Sequence, residues 1–555
     1  MPTPMSSDQS EELYSMQAPS ESRKLPFQEE TIEALTRTLP SFLYTRRWFG
    51  SKARRIGAVR IVDSVPIPSG SSAMLLFIRV KYDDGGMETY QLPVIAAIGE
   101  EAERVRRDCP QAVLAPLVVR KDDREHAGLI YEALWSCDFS LALLQAIGRG
   151  NRFQGSAGSL IASSTKVFAE LVPTDSLLKP AVMQGEQSNT SVAFGERVIL
   201  KLFRRLEQGI SLDFEIGLVL TNRQFRYVPP IAGVLEYQDN SGTRITLGLL
   251  QKFVANDGDA WRYSLEAVGR FFELTGREGS DARPPDQEVR LLDLAREDYS
   301  PLARRLIGEY LESAQRLGLR TAQLHLALSE VVDDPAFAPE PLTREYRKSQ
   351  HESMVQGLAD ALALVKERME LLSTSGQADA RQLFDFKPAL DRIFDSFRDL
   401  KTPVPLIRCH GDYHLGQVLC TGGDFMIIDF EGEPARSLAE RRMKQPAVVD
   451  VAGMVRSFHY APFAFLKDKG LEHSLWASFW STWSSAAFLK GYLGAATGAP
   501  FWPQAPEDVG LLMDVYLIKK ALYELQYELN NRPDWVEIPL HGLVETLKAT
   551  GNNKL

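Results

Sequence analysis

The sequence predicts an α+β protein whose first half is rich in strands and whose second half is mainly helical. Residues 27–130 contain AMLLFIRVKYDDGGMETYQLPVIAA, in which DDGG separates two strand-like runs as in a β-hairpin. Residues 131–255 combine one helical start, DFSLALLQAI, with further strand-like runs such as SVAFGERVILKLF. Residues 256–555 repeat apolar side chains at helical spacing, as in LLMDVYLIKKALYELQYEL.

A chain of 555 residues is too long for one hydrophobic core, so these changes in pattern are interpreted as domain boundaries. We predict an N-terminal domain over residues 27–130, a mixed lobe over residues 131–255 and a helical lobe over residues 256–555. The polar and acidic residues 1–26 are predicted to be a disordered lead-in, because they lack the apolar core of a signal peptide.

The charge balance excludes two classes of partner. With a formal net charge of −10 and a pI of about 5.5, the chain is predicted to bind neither nucleic acid nor an anionic membrane surface. No apolar run is long enough to cross a bilayer. The four cysteines, none of which forms a CxxC, predict reduced thiols in a cytoplasmic protein and no zinc site.

Acidic and amide side chains are concentrated in RCHGDYHLGQVLCTGGDFMIIDFEGEPAR, residues 408–436. An apolar run leads into HGD, and four apolar residues after a GG turn lead into Asp429, which is therefore predicted to end a buried strand. The order H-G-D-Y-H-L-G-Q followed by D-F-E has the layout of a kinase catalytic loop and metal-binding strand, whose signatures are H-R-D-L-x-x-x-N and D-F-G. The pattern predicts a small-molecule kinase.

Phosphoryl transfer explains the spacing, because it needs an oriented hydroxyl, a metal and little covalent chemistry from the protein. Asp412 is predicted to be the catalytic base that accepts or orients the hydroxyl proton of the acceptor. Gln417 and Asp429 offer oxygen ligands to Mg²⁺. His410 is predicted to support the loop by hydrogen bonds, and Asp450 to hold it from a helix.

A kinase also needs a cation for the phosphates of ATP. Lys201 lies inside the apolar run VILKLF, where a lysine is costly without an anionic partner. Glu215, at the start of the next helical stretch, is predicted to be that partner. A run of small polar residues just before the strand is predicted to line the phosphate site through backbone N–H groups and hydroxyls. The predicted ATP-binding residues of this run are Gln187, Ser188, Asn189 and Thr190.

The sequence leaves the acceptor side of the site more open. His414 is predicted either to touch the acceptor or to brace the loop. Glu431, and with less support Glu433, is predicted to bind the acceptor or a second metal, or else to pair with nearby arginines. The run Arg436–Arg442 beside Glu431 favours a neutral sugar over a cationic aminosugar, with Arg436 as the predicted contact.

Seven segments spread along most of the chain resemble the maltokinase family. They are RRWFGSKARRI (46–56), GEQSNTSVAFGERVILKLFRRLEQG (185–209), LRTAQLHLAL (319–328), HGDYHLGQVL (410–419), IDFEGEPARSLAERR (428–442), DVAGMVRSFHYA (450–461) and ALYELQYELNNRPDW (521–535). The resemblance implies a bilobal protein-kinase-like fold of the aminoglycoside phosphotransferase type, with ATP between the lobes. It implies a mixed N-lobe with an antiparallel sheet, a mainly helical C-lobe and an additional β-rich cap domain at the N-terminus, which RWFGSK marks.

The resemblance also implies transfer of phosphate from ATP to the anomeric hydroxyl of maltose, in a route that feeds α-glucan synthesis. It makes Lys520, Tyr523 and Glu524 a wall of the sugar site; the alternative is ordinary pairing of residues four apart on a helix surface. Relatives occur fused behind trehalose synthase, and the polar lead-in is compatible with a linker from such an arrangement. An association with trehalose synthase is therefore a predicted partnership.

Three functions remain open at this point. The first is phosphorylation of maltose, and the second is a related kinase acting on glucosamine or an aminoglycoside. The third is a non-catalytic pseudokinase that docks on an enzyme of the glucan pathway. The four groups that transfer requires, Asp412, Gln417, Asp429 and Lys201, are all present, which favours an enzyme.

Overall fold

The computed structural model describes residues 15–17, 29–70, 72–121, 124–173, 178–183, 188–277, 284, 290–470 and 475–551. The chain forms two units, the first comprising Met1–Leu218 and Pro230–Val254, and the second comprising Val219–Pro229 and Ala255–Leu555. The domains predicted over residues 27–130 and 131–255 both fall largely in the first unit, so the boundary between them stays a prediction.

The first unit holds two mainly antiparallel sheets and a few helices. Its strands are β1 (Ser15–Gln17), β2 (Ile56–Pro68), β3 (Ser72–Tyr82), β4 (Met87–Ile98), β5 (Val113–Lys121), β6 (Arg124–Glu132), β7 (Arg152–Gln154), β8 (Gly158–Ser164), β9 (Pro180–Val182), β10 (Asn189–Phe194), β11 (Val198–Phe203), β12 (Arg205–Leu206), β13 (Ile231–Asp239) and β14 (Arg244–Lys252). Its helices are α1 (Glu29–Thr45), α2 (Glu100–Asp108), α3 (Cys137–Arg149), α4 (Phe168–Leu171) and the first part of α5 (Leu212–Asn222).

The first sheet has the strand order β1-β5-β6-β4-β3-β2, with β12 added to β4. The hairpin predicted at DDGG is confirmed, since Lys81 pairs with Met87 and Gly85 takes a positive φ of 87° in the turn. Strand β1 pairs in parallel with β5 and lies within the segment predicted to be disordered. The rest of residues 1–26 lies outside the described residues.

The second sheet has the strand order β7-β8-β13-β14-β11-β10-β9. Strands β10 and β11 form an antiparallel pair in which Ser191 lies opposite Lys201. The inward-facing apolar residues of the two sheets, such as Phe77 of β3 and Leu200 of β11, belong to one buried cluster. The two sheets of the first unit therefore share a hydrophobic core.

The second unit is mainly helical. Its helices are α6 (Ala260–Thr275), α7 (Leu291–Leu294), α8 (Pro301–Leu306), α9 (Tyr310–Ser329), α10 (Arg344–Glu367), α11 (Thr374–Asp385), α12 (Lys387–Arg398), α13 (Leu438–Arg441), α14 (Val448–Asp468), α15 (Leu475–Ala496), α16 (Pro506–Asn531) and α17 (Glu537–Gly551). Four short strands form two antiparallel pairs: β15 (Glu340–Pro341) with β16 (Pro405–Leu406), and β17 (Val418–Thr421) with β18 (Asp424–Ile427), of which the second is a hairpin. The predicted α+β fold class is confirmed.

Helices α9 and α15 pack backbone to backbone. A Cβ atom at Gly318 would overlap the carbonyl oxygen of Phe488, and one at Gly491 would overlap that of Gln315. This close approach fixes the position of α9 against α15. From α9, Thr321 contacts the Tyr413 hydroxyl and His325 contacts Asp450, and both partners belong to the site described below. Within the described part of the chain, no helix combines the length and the apolar character that a bilayer crossing requires.

His541 links α11 to α17, and its raised pKa predicts that the stability of the fold depends on pH. Its Nδ1 atom lies 3.0 Å from Asp379 Oδ2 and its Nε2 atom 3.4 Å from Glu545 Oε1. Burial alone would lower the pKa of His541, but these carboxylates raise it to about 9. A raised pKa stabilises the fold fully below the ordinary histidine value of about 6.5, and the stabilisation is lost as the pH rises through about 9.

We therefore expect the melting temperature to fall between pH 6.5 and pH 9, and His541→Gln to flatten this dependence. The shift corresponds to about 1–3 kcal/mol of unfolding free energy. Thermal melts of the two proteins across this pH range measure it, with substitution of the exposed His126 by glutamine as the control. An equal slope in wild type and His541→Gln contradicts the prediction.

Candidate active site

The predicted catalytic loop, residues 410–417, is held by one buried carboxylate. Asp450, in the first turn of the buried helix α14, accepts hydrogen bonds from the backbone N–H groups of His410 (2.7 Å) and Gly411 (2.9 Å). Its Oδ2 atom also lies 3.0 Å from His325 Nε2. Burial would raise the pKa of Asp450, but the His325 contact and these backbone bonds keep it below its ordinary value. The contacts are those predicted for a residue that holds the loop from a helix.

The His410 ring is part of the same support. Its Nε2 atom lies 2.9 Å from the carbonyl oxygen of Ile428, which can only accept, so Nε2 carries the proton. The ring packs between Tyr413 and Phe430 and is almost completely buried. It therefore joins the catalytic loop to the segment that carries Asp429, as predicted for a supporting residue.

Two glycines bring the loop close to its neighbours. Gly411 takes a φ of 85°, a conformation that L-residues with a side chain rarely adopt. A Cβ atom at Gly453 of α14 would lie 2.6 Å from the carbonyl oxygen of Tyr413. Asp412 lies between Gly411 and Tyr413. The backbone conformation of Gly411 and the close approach of Gly453 to Tyr413 therefore set the position of Asp412.

Gln417 and Asp429 lie at the same end of the β17–β18 hairpin. The N–H of Ile428, the residue before Asp429, donates to the carbonyl oxygen of Gln417 (3.0 Å). Asp429 takes a φ of 69°, and left-handed backbone at a residue other than glycine is characteristic of functional sites. The hairpin thus brings together the two predicted oxygen ligands, and their metal-binding role stays a prediction.

His414 acts as a brace within the loop. It precedes the short 3₁₀ helix Leu415–Gln417, and its Nδ1 atom accepts a hydrogen bond from Gly416 N–H (3.1 Å). Burial lowers the pKa of His414, so the ring is neutral and can accept this bond at neutral pH. The bracing alternative therefore has a contact that supports it, whereas contact of His414 with an acceptor stays a prediction.

The predicted acceptor side centres on the ammonium group of Lys520, on α16. Lys520 Nζ lies 3.3 Å from Asp412 Oδ1 and 3.1 Å from Glu433 Oε1. Burial would lower the pKa of Lys520, but Asp412 and Glu433 raise it. The ammonium also lies over the ring of Tyr523, 5.0 Å from its centroid. A cation is thus built into the wall beside the predicted catalytic base.

The three glutamates of the predicted acceptor side differ in what they contact. Glu433 pairs on its other oxygen with Arg436 Nε (2.6 Å), which is the arginine-pairing alternative. Glu524 accepts two hydrogen bonds from the buried Arg456, at 2.9 and 2.7 Å, so its carboxylate has a structural partner. The carbonyl oxygen of Glu431 accepts from Arg441 Nη1 (2.7 Å). Contacts of Glu431, Arg436 and Glu524 with substrate stay predictions.

Several of the predicted residues line one cavity of about 200 Å³ in the second unit. Asp412, Arg436, Lys520 and Tyr523 are among its lining residues, together with Glu433 and Asp450. Other lining residues were missed by the sequence analysis, and among them are Lys519 and Gln526 on α16 and Ser353 on α10. The α16 pair lies on the same helical face as Tyr523, so following that face from Lys520 was a usable signal; Ser353 carries none.

The first unit holds the predicted ATP-binding residues. Lys201 Nζ lies 3.1 Å from Asp213 Oδ2, in the first turn of α5, and both side chains are largely buried. Asp213 is thus a partner of Lys201 that the prediction missed, since it named Glu215; the role of Glu215 stays a prediction. Ser188, Asn189 and Thr190 lead into and begin β10, opposite the lysine strand. Gln187 lies outside the described residues.

Comparison with known proteins identifies the first domain and the fold. Residues 42–134 match the model of the Maltokinase N-terminal cap domain. The glucosamine kinase of Streptacidiphilus jiangxiensis is 27% identical over 372 residues, which cover 65% of this chain and 72% of that protein. The glucosamine kinase of Mycolicibacterium smegmatis (strain ATCC 700084 / mc(2)155) is 21% identical over 358 residues, which cover 64% and 76%, respectively.

A solved structure of glucosamine kinase in complex with glucosamine, ADP and inorganic phosphate superposes with a TM-score of 0.58. It is 18% identical, and the match covers 91% of this chain and 98% of that one. The fold and the matched sequences place the chain in the class of sugar phosphotransferases, the sugar kinases. Within that class it carries the N-terminal cap domain of the maltokinases, which confirms the predicted resemblance.

Proposed function

We propose that the protein transfers the terminal phosphate of ATP to the anomeric hydroxyl of maltose, giving maltose 1-phosphate and ADP. The observation that carries the choice of a neutral sugar is the position of Lys520, whose ammonium contacts both Asp412 and Glu433 in the acceptor cavity. The maltokinase cap over residues 42–134 supports the same choice.

In this mechanism the chain's own residues orient the acceptor and move its proton. Asp412 accepts the proton of the anomeric hydroxyl as that oxygen attacks the terminal phosphorus of ATP. Lys201, which is paired with Asp213, is the cation that we assign to the phosphates of ATP. The ADP in the related glucosamine kinase structure supports an adenine nucleotide.

The residues predicted to hold magnesium fit that ion. Asp429 offers a carboxylate and Gln417 an amide oxygen at the end of one hairpin, and hard oxygen ligands are those that Mg²⁺ prefers. Mg²⁺ held by these two side chains would supply positive charge to neutralise the phosphate oxygens. Asp429 keeps its left-handed backbone between two fixed neighbours: Ile428 is hydrogen-bonded to Gln417 and to His410, and Phe430 packs against the His410 ring.

Electrostatics favours a neutral acceptor beside Lys520. Two unit positive charges about 4 Å apart repel each other by roughly 4 kcal/mol at an effective dielectric constant of about 20. A glucosamine ammonium close to Lys520 meets that repulsion, and the two carboxylates that could attract it already face the lysine. Sugar hydroxyls can instead accept hydrogen bonds from the ammonium and donate to the carboxylates.

Glucosamine is the second candidate acceptor, because the two relatives described above are both glucosamine kinases. The predicted link to α-glucan synthesis and the predicted association with trehalose synthase rest on the family resemblance alone and stay predictions.

A coupled ADP-release assay with Mg-ATP tests the proposal across maltose, glucose, trehalose, glucosamine and kanamycin. Turnover on maltose that yields a phosphorylated product without a reducing end supports it. Preferential turnover on glucosamine or kanamycin would show that the protein is a kinase but that maltose is not its acceptor. Binding of MgADP without turnover on any acceptor supports the non-catalytic alternative.

Lys520→Met is expected to lower kcat/KM for maltose about 10- to 100-fold, because the ammonium no longer donates hydrogen bonds to sugar hydroxyls. The ratio of kcat/KM for maltose to that for glucosamine is expected to fall by at least about 10-fold, since the repulsion of an aminosugar disappears. Steady-state kinetics with both acceptors measures this.

Lys519→Met is the matched control, because Lys519 lines the same cavity but donates to Gln350 (2.7 Å). In Lys519→Met the ratio of kcat/KM for maltose to that for glucosamine is expected to stay near the wild-type value. An unchanged ratio in Lys520→Met, or an equal change in both variants, argues against Lys520 as the residue that selects a neutral sugar.

A further inference from the structure

Arg204 is a fully buried arginine just after β11, and its guanidinium joins three groups in the first unit. Its Nε atom donates to the Thr190 hydroxyl (2.8 Å), and its Nη2 atom pairs with the carboxylate of Glu132. The guanidinium also lies over the ring of Trp48, 5.0 Å from the ring centroid. A buried charge is costly unless partners of this kind fix it. The Arg204 guanidinium therefore forms a fixed junction between these three side chains.

The two ends of the junction belong to different parts of the first unit. Trp48 lies in the RRWFGSK segment and Glu132 ends strand β6, and both fall within the matched cap domain, residues 42–134. Thr190 is the second residue of β10, one position before Ser191, which pairs with Lys201. Arg204 thus connects the cap to the strand that begins at the predicted phosphate loop.

The backbone of Arg204 is fixed from the same side. Its carbonyl oxygen accepts from the N–H of Gln91 in β4 (3.0 Å), and the Gln91 side chain donates to the carbonyl oxygen of Phe203 (2.9 Å). Gln91 is completely buried. The end of the lysine strand β11 is therefore held by a cap strand as well as by its own sheet.

We propose that Arg204 is a positioning residue for nucleotide binding, through which Glu132 and Trp48 of the cap hold Thr190 and the start of β10 in place beside Lys201. This inference rests on the proposed function, because it takes Ser188–Ser191 and Lys201 as the nucleotide phosphate site. It gives the cap a role in nucleotide affinity in addition to its share of the hydrophobic core.

The geometry makes arginine hard to replace here. Its planar fork donates in two fixed directions, to Thr190 and to Glu132, while its face covers Trp48. Lysine keeps the positive charge but presents a single ammonium, which cannot reproduce both bonds and the ring contact. Arg204→Lys therefore tests whether nucleotide binding depends on the hydrogen bond that positions Thr190 or only on a positive charge at residue 204.

Arg204→Lys and Glu132→Gln are expected to raise the dissociation constant of MgADP and the KM for ATP about 5- to 50-fold. The KM for the acceptor is expected to change less than about 2-fold. Thr190→Val, which removes the hydroxyl, is expected to weaken nucleotide binding similarly, and Thr190→Ser, which keeps it, to restore it. Calorimetric titration of the full-length protein with MgADP and steady-state kinetics measure these values.

The double variant Arg204→Lys/Thr190→Val separates positioning from a direct and independent contact of Thr190 with phosphate. If Thr190 depends on Arg204, the double variant binds MgADP about as weakly as either single variant. If the two effects multiply, Arg204 does not act through Thr190, and the proposal is overturned.

Asp63 supplies a matched control for stability. It is a buried cap residue that accepts from the Tyr237 hydroxyl and the Ser156 hydroxyl, each at 2.6 Å, and it contacts no described residue of β10 in these bonds. Asp63→Asn is expected to lower the melting temperature without weakening MgADP binding. Equal weakening in Asp63→Asn and Arg204→Lys reduces the effect to general destabilisation and overturns the proposal.

The titration of the wild type distinguishes a failure of the proposed function from a failure of the positioning role of Arg204. If the wild type does not bind MgADP, the proposed function fails. If the wild type binds and Arg204→Lys and Glu132→Gln bind equally well, only the positioning role fails. Should Arg204→Lys not fold, the Thr190 and Glu132 variants still decide the question.

Discussion

Replacing Asp412 by asparagine is expected to lower kcat for phosphoryl transfer about 10²- to 10⁴-fold while MgADP binding is retained. The amide cannot accept the proton that leaves the acceptor hydroxyl. The substitution keeps the shape of the side chain, and the loop that carries it is fixed by Asp450 and by the close approach of Gly453. A loss of kcat therefore reports on chemistry and not on the position of the loop.

The measurement is the coupled ADP-release assay at saturating acceptor, with calorimetric titration of MgADP alongside it. Glu433→Gln is the matched control, because Glu433 contacts the same Lys520 ammonium but is not the predicted base. It is expected to raise the acceptor KM and to lower kcat less than about 10-fold. If Asp412→Asn transfers phosphate at the wild-type rate, Asp412 is not the catalytic base.

The parts of the site that could be predicted from the sequence are those in which local spacing determines geometry. His410 and Asp412 share one loop, and Gln417 and Asp429 meet because a short hairpin returns the chain on itself. The DDGG hairpin of the first sheet follows the same logic. In each case a few residues of turn or strand decide which side chains meet.

The missed contacts depend on helical phase or on distant segments. Glu215 and Asp213 stand two residues apart in the first turn of α5, on different faces, and spacing along the chain did not show that Asp213 reaches Lys201. Lys519 lines the cavity on the helical face of α16 that Tyr523 marks, and the sequence reasoning did not follow that face. The contact of Arg204 with Glu132 joins residues 72 positions apart, which no local pattern reveals.

Asp450→Asn is expected to lower both the stability of the second unit and the activity. The carboxylate oxygens accept from His410 N–H and Gly411 N–H and contact His325. An asparagine offers one oxygen, and its NH₂ group then faces a buried N–H donor. Loss of a hydrogen bond to a charged group and an unsatisfied donor together cost about 3 kcal/mol.

The loss of activity follows from the same contacts. Once the N–H groups of His410 and Gly411 lose their common acceptor, the backbone that carries Asp412 is free to move, and an error of about 1 Å in a reacting group costs roughly 10²-fold in rate. Because the pKa of Asp450 lies below its ordinary value, the stabilisation is present above about pH 4 and is lost only as the pH falls further. Measurements at pH 7.5 therefore detect it in full.

Calorimetric melts and kcat for maltose are the measurements, and Asp424→Asn is the control. Asp424 accepts two hydrogen bonds from Arg320, but its side chain is 35% exposed, so its loss is expected to cost less than about 1 kcal/mol. His325→Gln keeps a donor toward Asp450 and is expected to have an intermediate effect, which preserves the test if Asp450→Asn does not fold. A fully active Asp450→Asn with an unchanged melting temperature would show that the loop holds its shape without this carboxylate, and the predicted role of Asp450 would be wrong.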